Sequence, residues 1–491
     1  MTRCMRVSLA VYPVAAPSGS IRFWVGAFGR RQAPLPRFTL DGQAVQPAAL
    51  RPMASVRAAK LLSGDPARVW SGLYELPVSG ASQRHRLAVA EDGAAPCERE
   101  VRPLPAALPH GDSEGFNVLL CSCFCHDEAL PAFSRVVSDV VRSGPLDLTL
   151  LMGDQVYLDL PTLENFPTSP ADLAAKFEGK YVANWDAASS FAQILGAAPS
   201  VAIPDDHEYW NNAPNTSPFI QNSWTADGRQ SWRLAADATF AGFQSPVAAR
   251  GLPVELDVPP LSFFVADTRT DRKPDLSALM SEAAHQRLAA WVDRLNARKL
   301  IGVFVTGQSM FSQPISRPKG AIADWELANY ADYGRMVRHL ARTENELLCV
   351  TGDVHWGRVV CAHDSQPPPG SHRRIWEVIA SPSALVTTVG SDQARRLLSG
   401  VRSLFGRRDP WPRHDGAPHP PDFFAGGVMR GRFASQKIAE HRGDHVAVLS
   451  FRWLSQKLEA FVSYWPIHDR LRAPSRVPLF TVPCAHPRSS A

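Results

Sequence analysis

An α/β layered fold preceded by a small β-rich domain is what this sequence predicts, on three observations. Residues 1–105 break into short strand-like runs separated by turn residues, with no long helical pattern. From Phe116 onward, apolar runs of strand length alternate with amphipathic stretches of helical period. Four of those apolar runs end abruptly in acids, histidines or cysteine. The chain of 491 residues is 45% hydrophobic, enough for a sizeable core, and its net charge of +5 is too mild to point to nucleic acid.

The N-terminal runs are "RFWVGAFG", "RFTLDG", "RVWSGLYELPV" and "RHRLAVAEDG". The Pro-rich "VRPLPAALPHGDSEG" follows, so the domains are set at 1–105, with a linker at 106–115, and 116–491. "FNVLLCSCF" predicts a buried strand, and "EALPAFSRVVSDVVRSG" an amphipathic helix closed by Gly144. "LDLTLLMGD" is a second buried strand; after a helical insert near 171–197, "PSVAIPDD" is a third. Then come "LSFFVADTR", the helix "SEAAHQRLAAWVDRLNA", the strand "KLIGVFVTGQ", a helix near 325–342, and the strands "ELLCVTGDVH" and "RIWEVIASP". The stretch 402–422 predicts a loop, and "HVAVLSFRWL" with "KLEAFVSYW" a C-terminal hairpin joined by "SQ".

The N-terminal "MTRCMRVSLAVYPVAAPSGS" has a short apolar run broken by Tyr12 and Pro13 and no clean cleavage site. No run of about 18 apolar residues marks a membrane span. A soluble, cytoplasmic protein is expected. Eight cysteines in a chain of this length do not form a disulfide framework; the cluster "CSCFC" is the informative part.

The chemistry lies at the strand ends. One run ends at Cys123, the next at Asp154, the third at Asp205, Asp206 and His207, and a later one at Asp353 and His355. In open α/β sheets ligands bind outside the carboxyl ends of the strands, so these groups are expected to converge. Carboxylate, imidazole and thiolate are the usual ligands of catalytic transition metals. Several carboxylates at one point repel, and cations resolve that conflict while activating water and clamping an anionic oxygen. Each piece alone is weak. "GDQVY" and "GDVH" read as turns, "DDHE" as a helix start capped by Asp205 or Asp206, and Cys121 and Cys125 as buried thiols. Period-2 alternation would put Cys121, Cys123 and Cys125 on one strand face. The specific signal is the conjunction of four such ends in chain order.

With "SCF" at 122–124, "GDQVY" at 153–157, "DDHEYWNN" at 205–212, "DTRTDR" at 267–272 and "GDVH" at 352–355, residues 116–390 resemble the alkaline phosphatase D (PhoD-like) family of metallophosphatases. The resemblance implies a two-sheet αββα sandwich and hydrolysis of phosphomonoesters or phosphodiesters. It implies a centre of two or more metals, iron with calcium, with zinc or manganese as alternatives. Its ligands would be Cys123, Asp154 as the bridge, Asp206, Asp353 and His355. His207 would be the general acid, with Asp205 or Glu208 orienting its imidazole and Tyr157 and Asn212 lining the site. Arg269 is the phosphate clamp, or else is salt-bridged to Asp267 or Asp271. The chain departs from the family pattern at Phe124, which would make the wall beside the thiolate apolar, at Trp356, which would narrow the pocket, and in having no legible export signal. The expected partner is a small phosphate ester. A non-catalytic metal- or ligand-binding protein on the same fold, and a nuclease or phospholipase of the superfamily, are the rival readings; no basic groove is legible for nucleic acid.

Overall fold

The structure is a computed structural model describing residues 7–62, 68–79, 83–91, 96–109, 115–129, 131–162, 164–244, 250–320, 324–355, 357–367, 373–384, 429, 432–468 and 473–483. Its strands, numbered in chain order, form three sheets. The first sheet runs β21 (Ser475–Pro483), β20 (Lys457–Pro466), β19 (His445–Leu454), β9 (Gly115–Cys121), β10 (Leu148–Met152), β11 (Ser200–Ile203), β1 (Ser8–Val14), β2 (Ser20–Phe28), β6 (Val69–Pro77) and β5 (Ala48–Ser55). The second runs β12 (Val254–Val258), β13 (Leu261–Val265), β14 (Ile301–Thr306), β15 (Leu347–Thr351), β17 (Arg374–Ile379), β16 (Gly357–Asp364) and β18 (Phe433–His441). The third is small: β4 (Gln43–Val45), β3 (Arg37–Leu40), β7 (His85–Ala90) and β8 (Cys97–Val101). The helices are α1 (Pro131–Ser143), α2 (Pro170–Trp185), α3 (Ala192–Ala197), α4 (Ala226–Phe243), α5 (Glu282–Arg298), the single turn α6 (Arg317–Gly320), and α7 (Tyr333–Leu340).

Alternation within each strand builds the layers. Along β9 and β10, Val118, Leu120, Leu148, Leu150 and Met152 point between the two large sheets, against Phe263, Val303 and Val350 of the second. Their neighbours Leu119, Cys121 and Leu151 point outward, under the aromatic and aliphatic faces of α1, α2 and α4. On the far side Phe264, Phe304 and Cys349 pack under Leu288, Trp291 and Met336 of α5 and α7. Helix, sheet, sheet, helix is the αββα sandwich, held by three hydrophobic layers.

Two parallel trios of strands set the site. In the first sheet β9, β10 and β11 lie side by side, with Leu151 opposite Cys121 and Met152 opposite Ile203. In the second, β13, β14 and β15 lie side by side, with Val265 opposite Val305 and Thr306 opposite Thr351. Each trio therefore ends nearly level.

The boundary expected at 105 does not coincide with a boundary between sheets. β1, β2, β5 and β6 continue the first large sheet, with β1 parallel to β11 at Val14 and Ser200. Only β3, β4, β7 and β8 form a separate sheet, which buries Phe38, Leu87 and Val89 against Val11, Phe23 and Val25. Strand-forming composition does not say which edge a strand will join, because pairing is non-local. The start of the expected linker is likewise anchored, since Leu108 is buried in the inter-sheet core and its N donates to Pro259 O at 2.8 Å. The helix expected near 325–342 divides into a short turn at Leu327–Asn329 and α7. Asp332, between them, spends its carboxylate on the amide of Leu279 at 2.9 Å. The predicted C-terminal hairpin is β19 and β20, turning at Ser455 and Gln456. The loop expected at 402–422 and the position of Trp356 lie outside the described residues. Among the described residues, no helix is long and apolar enough to cross a membrane.

Candidate metal centre

The chain leaves three of the site's strands in the same way, whereas after β11 Asp205 stays extended with φ of −125°. After β9, β10 and β15, the first functional residues Cys123, Asp154 and Asp353 have φ of 54°, 58° and 62°, and His355 and Asn212 have 60° and 73°. Left-handed backbone is uncommon outside glycine and concentrates where surrounding structure enforces it. The enforcement here is a set of crossed loop hydrogen bonds. Cys123 N donates to Gly153 O at 3.2 Å, Phe124 N to Asp154 O at 2.8 Å, and Gly352 N to Gly307 O at 3.0 Å. The loops approach closely enough that a Cβ at Gly153 would collide with Asp205, and one at Gly352 with Ser122 and the carbonyl of Met152.

This geometry brings one carboxylate oxygen each from Asp154, Asp205, Asp206 and Asp353 within 4.8 Å of one another; Asp154, Asp206 and His207 form an overlapping group on the same criterion. Cys123 and His355 fall outside these groups, though both are on the same loops. Cys123 Sγ lies 3.5 Å from Asp154 Oδ2 and 3.3 Å from Ser122 Oγ, and Asp353 N donates to that same Ser122 oxygen at 3.2 Å. His355 N donates to Ser381 Oγ at 3.3 Å. The three clustered cysteines do not share a strand face, because β9 stops at Cys121 and the backbone reverses at Cys123. Cys121 Sγ is 3.1 Å from Ser383 Oγ, and Cys125 packs with Tyr157 and Leu160. Phe124 does not form a wall beside the thiol. Its fully buried ring turns into the outer core, with its centroid 4.8 Å from Phe133 and 4.6 Å from Phe191.

His207 is oriented by a residue that sequence reasoning missed. Its Nδ1 lies 2.8 Å from Asp159 Oδ1, and Asp159 Oδ2 accepts from Asn211 N at 2.7 Å. Neither Asp205 nor Glu208, the residues expected to orient the imidazole, makes that contact. The Tyr157 ring packs on the imidazole with centroids 4.2 Å apart. Glu208 ties loops together instead: its carboxylate accepts from Asp154 N at 2.8 Å, Gln155 N at 2.7 Å and Asp205 N at 2.9 Å. Asp206 Oδ2 accepts from Asn212 N at 2.9 Å, and Asn212 Nδ2 donates to Gly320 O at 3.0 Å.

Arg269 pairs with neither Asp267 nor Asp271 through its side chain. Its Nε donates to Asp205 Oδ1 at 2.6 Å, Nη1 to Ala213 O at 2.7 Å and Nη2 to Asp324 Oδ2 at 2.6 Å. Buried and fully engaged, this guanidinium anchors Asp205 rather than reaching for a substrate. Gln308, just beyond β14, joins the network. It accepts from Arg272 Nη2 at 2.8 Å, and its Nε2 donates to Asp353 Oδ2 at 3.2 Å and to Asp324. Asp159 and Gln308 carried no sequence signal beyond being polar residues downstream of strands, and Asp324, between α6 and the turn at Leu327–Asn329, carried none. The spacing in "GDQVYLD" was the only available hint for Asp159.

The electrostatics fit a cation. Burial pushes the pKa values of Asp154 and Asp353 well up, and the neighbouring aspartates push them further. Burial also raises the Cys123 thiol, reinforced by Asp154 and Asp353. Burial alone would depress the His207 imidazolium, but Asp159, Asp206 and Asp154 reverse this and hold its pKa well above the ordinary value. Arg269 and Arg272 are committed to Asp205 and Asp324. Asp205 Oδ2 and Asn212 Oδ1 are buried with no hydrogen-bond donor among the described residues. A surplus of buried carboxylate and orphaned oxygen acceptors, beside a thiol and imidazoles, is the donor chemistry of a mixed hard and borderline metal site.

No protein-family model matches the chain, and no curated protein matches it by sequence. Solved structures do share its fold. The structure of PhoD is 12% identical, with 95% of this chain and 88% of that one aligned at a TM-score of 0.60. The purple acid phosphatase PPD1 from seeds of yellow lupin (Lupinus luteus) is 10% identical, with 97% of this chain and 74% of that one aligned at a TM-score of 0.55. At these identities the likeness is one of fold.

Proposed function

From the PhoD-like metallophosphatase fold, we propose that this protein is a metal-dependent hydrolase of phosphoric esters. The observation that carries the reading is the convergence of four carboxylate oxygens within 4.8 Å of one another, beside an imidazole held by its own aspartate. Asp154, Asp206 and Asp353 would hold the metals with Cys123, His355 and the free Asn212 Oδ1, and the mixed donor set favours iron with calcium over a purely hard pair. When bound, the metals supply Lewis acidity toward the phosphoryl oxygens and a water acidic enough to attack near neutral pH.

The chain's own residues do the rest. Asp159 fixes one tautomer of His207 by accepting from Nδ1, leaving Nε2 to present a proton to the departing alcohol oxygen. Asp159, Asp206 and Asp154 raise the His207 pKa despite its burial, which favours the proton-bearing form that an acid needs. The Tyr157 ring limits its rotation. Arg269 holds Asp205, and Glu208 holds the backbone of Asp154, so that the cluster keeps its shape while charges change hands. Orientation through such contacts is a normal part of metal-site design.

The test is Asp154→Asn, assayed with an aryl phosphate and an aryl phosphodiester, with iron, calcium, manganese or zinc added, at neutral and alkaline pH. Turnover is expected to fall at least about 1000-fold with the circular dichroism spectrum unchanged, the scale of losing a residue that would hold the metals. Near wild-type turnover in the variant overturns the assignment.

A further inference from the structure

Asp324 comes to the metal centre from outside the strand ends. It lies between α6 and the turn at Leu327–Asn329, on a stretch whose earlier residues Gln313, Pro314, Ser316 and Arg317 are exposed. Its side chain is 14% exposed, against 1% for Arg269 and 0% for Arg272, so it is the most open member of this group. Arg269 holds it as a fork, with Nη1 donating to Oδ1 at 3.1 Å and Nη2 to Oδ2 at 2.6 Å. Gln308 Nε2 also donates to Oδ2. Arg272 Nη1 lies 3.6 Å from Oδ2 and is buried without a hydrogen bond.

Neither guanidinium depends on Asp324 for its position. Arg269 is fixed by Asp205 Oδ1, 2.6 Å from Nε, and by Ala213 O, 2.7 Å from Nη1. Arg272 is fixed by Thr268 O at 3.1 Å, by Gln308 Oε1 at 2.8 Å and by the Tyr330 ring, whose centroid is 4.8 Å from its Cζ. Asp205 balances one of the two cations. Without Asp324 the other would be a buried charge ringed by fixed donors, and such a charge demands a partner. A guanidinium fork takes a carboxylate or a tetrahedral oxyanion through the same pair of parallel bonds. The metal centre is one hydrogen bond away, since the same Gln308 Nε2 donates to Asp353 Oδ2 at 3.2 Å.

We propose that Arg269, Arg272 and Gln308 form a site for a small tetrahedral oxyanion, sulfate or phosphate, beside the metal centre, and that Asp324 fills it as a built-in competitor. An entering oxyanion displaces the carboxylate and frees the stretch that carries it, whatever reaction the centre performs. The probe is sodium sulfate, a poor metal ligand, titrated calorimetrically against sodium chloride of matched ionic strength into wild type, Asp324→Ala and Asp324→Ala/Arg272→Met. Asp324→Ala is expected to bind sulfate at least about tenfold more tightly than wild type, the scale of one charge-assisted contact, and the double variant to lose that gain. Equal binding by wild type and Asp324→Ala overturns the proposal, as does a gain that survives Arg272→Met, which would put the sulfate elsewhere. In wild type, saturating sulfate should speed hydrogen–deuterium exchange of peptides spanning 324–330 at least about threefold, because the displaced carboxylate no longer pins them. Unchanged or slower exchange there also overturns it. Asp324→Asn, which keeps the volume and removes the charge, should repeat the gain in affinity. If both Asp324 variants lose their native circular dichroism spectrum, the carboxylate is a strut and the proposal falls.

Discussion

Replacing Glu208 with glutamine changes one oxygen to an NH2 group and should loosen the centre. Every partner of this carboxylate is a donor. Oε2 accepts from the amides of Asp154 and Asp205 at 2.8 and 2.9 Å. Oε1 accepts from the amides of Gln155 and Val156 at 2.7 and 3.3 Å and from Gln244 Nε2 at 3.2 Å. A glutamine offers one acceptor oxygen, so whichever way its amide turns, at least two buried N–H donors face another donor. Each orphaned donor costs about 1–3 kcal/mol, which sets the loss at about 2–6 kcal/mol. The damage is local, falling on the loops after β10 and β11, so local opening is the quantity to measure. In hydrogen–deuterium exchange read by mass spectrometry, peptides spanning 153–157 and 204–208 should exchange at least about 30-fold faster in Glu208→Gln, the lower bound of that range at about 1.4 kcal/mol per decade. Exchange within threefold of wild type would refute the reasoning. It would mean that relief of the buried charge offsets the lost acceptor, and that Glu208 is not the tie between the loops.

Two further outcomes follow from titrating groups. Burial, with a contribution from His441, depresses the pKa of His445 from 6.5 to about 3. The unfolded chain therefore binds a proton that the native state refuses, and stability should rise with pH by about 1.4 kcal/mol per unit between pH 4 and 6 from this group alone. Urea midpoints at pH 4, 5, 6 and 7 should show a shallower slope in His445→Gln than in wild type, and equal slopes would contradict the assignment. For Asp159→Asn, removing the carboxylate beside His207 should lower kcat about 10- to 100-fold and move the alkaline limb of the pH–rate profile down by at least about one unit, since an adjacent opposite charge is worth 1–3 units. An unmoved alkaline limb would show that Asp159 does not hold the His207 proton.

The sandwich and its apex were legible because both depend on local pattern. A buried strand needs a run of apolar residues, and a chain leaving such a strand for a close loop crossing favours Gly-Asp or Asp-Asp-His. Asp154, Asp206, His207 and Asp353 were singled out on that basis; Asp154 and Asp206 lie in one group with His207 and in another with Asp205 and Asp353. Helix α4 was not read, because "ADGRQSWRLAADATFAGF" buries Trp232, Phe240 and Phe243 on a face interrupted by small and polar residues. The division of roles among acids was not legible either. Which carboxylate faces His207 is settled by the path of the chain through "QVYLD", which brings Asp159 to Nδ1 while Asp205 is drawn off by Arg269. Arg269's partner Asp324 is 55 residues away, a pairing without any local signature. Strand β1 contains the short apolar run at the N-terminus, and its place beside β11 depends on a contact across almost two hundred positions.

The left-handed backbone at Cys123, Asp154, Asp353 and His355 has an evolutionary corollary. At each of these positions glycine would suit the conformation better, by about 1–2 kcal/mol where the side chain gives no local compensation. Each such exchange would delete a donor atom from the apex. Selection for a more stable fold and selection for an intact centre therefore pull these four codons in opposite directions. In a lineage that no longer used the centre, they are where glycine should accumulate first, leaving the sandwich sound and its apex bare.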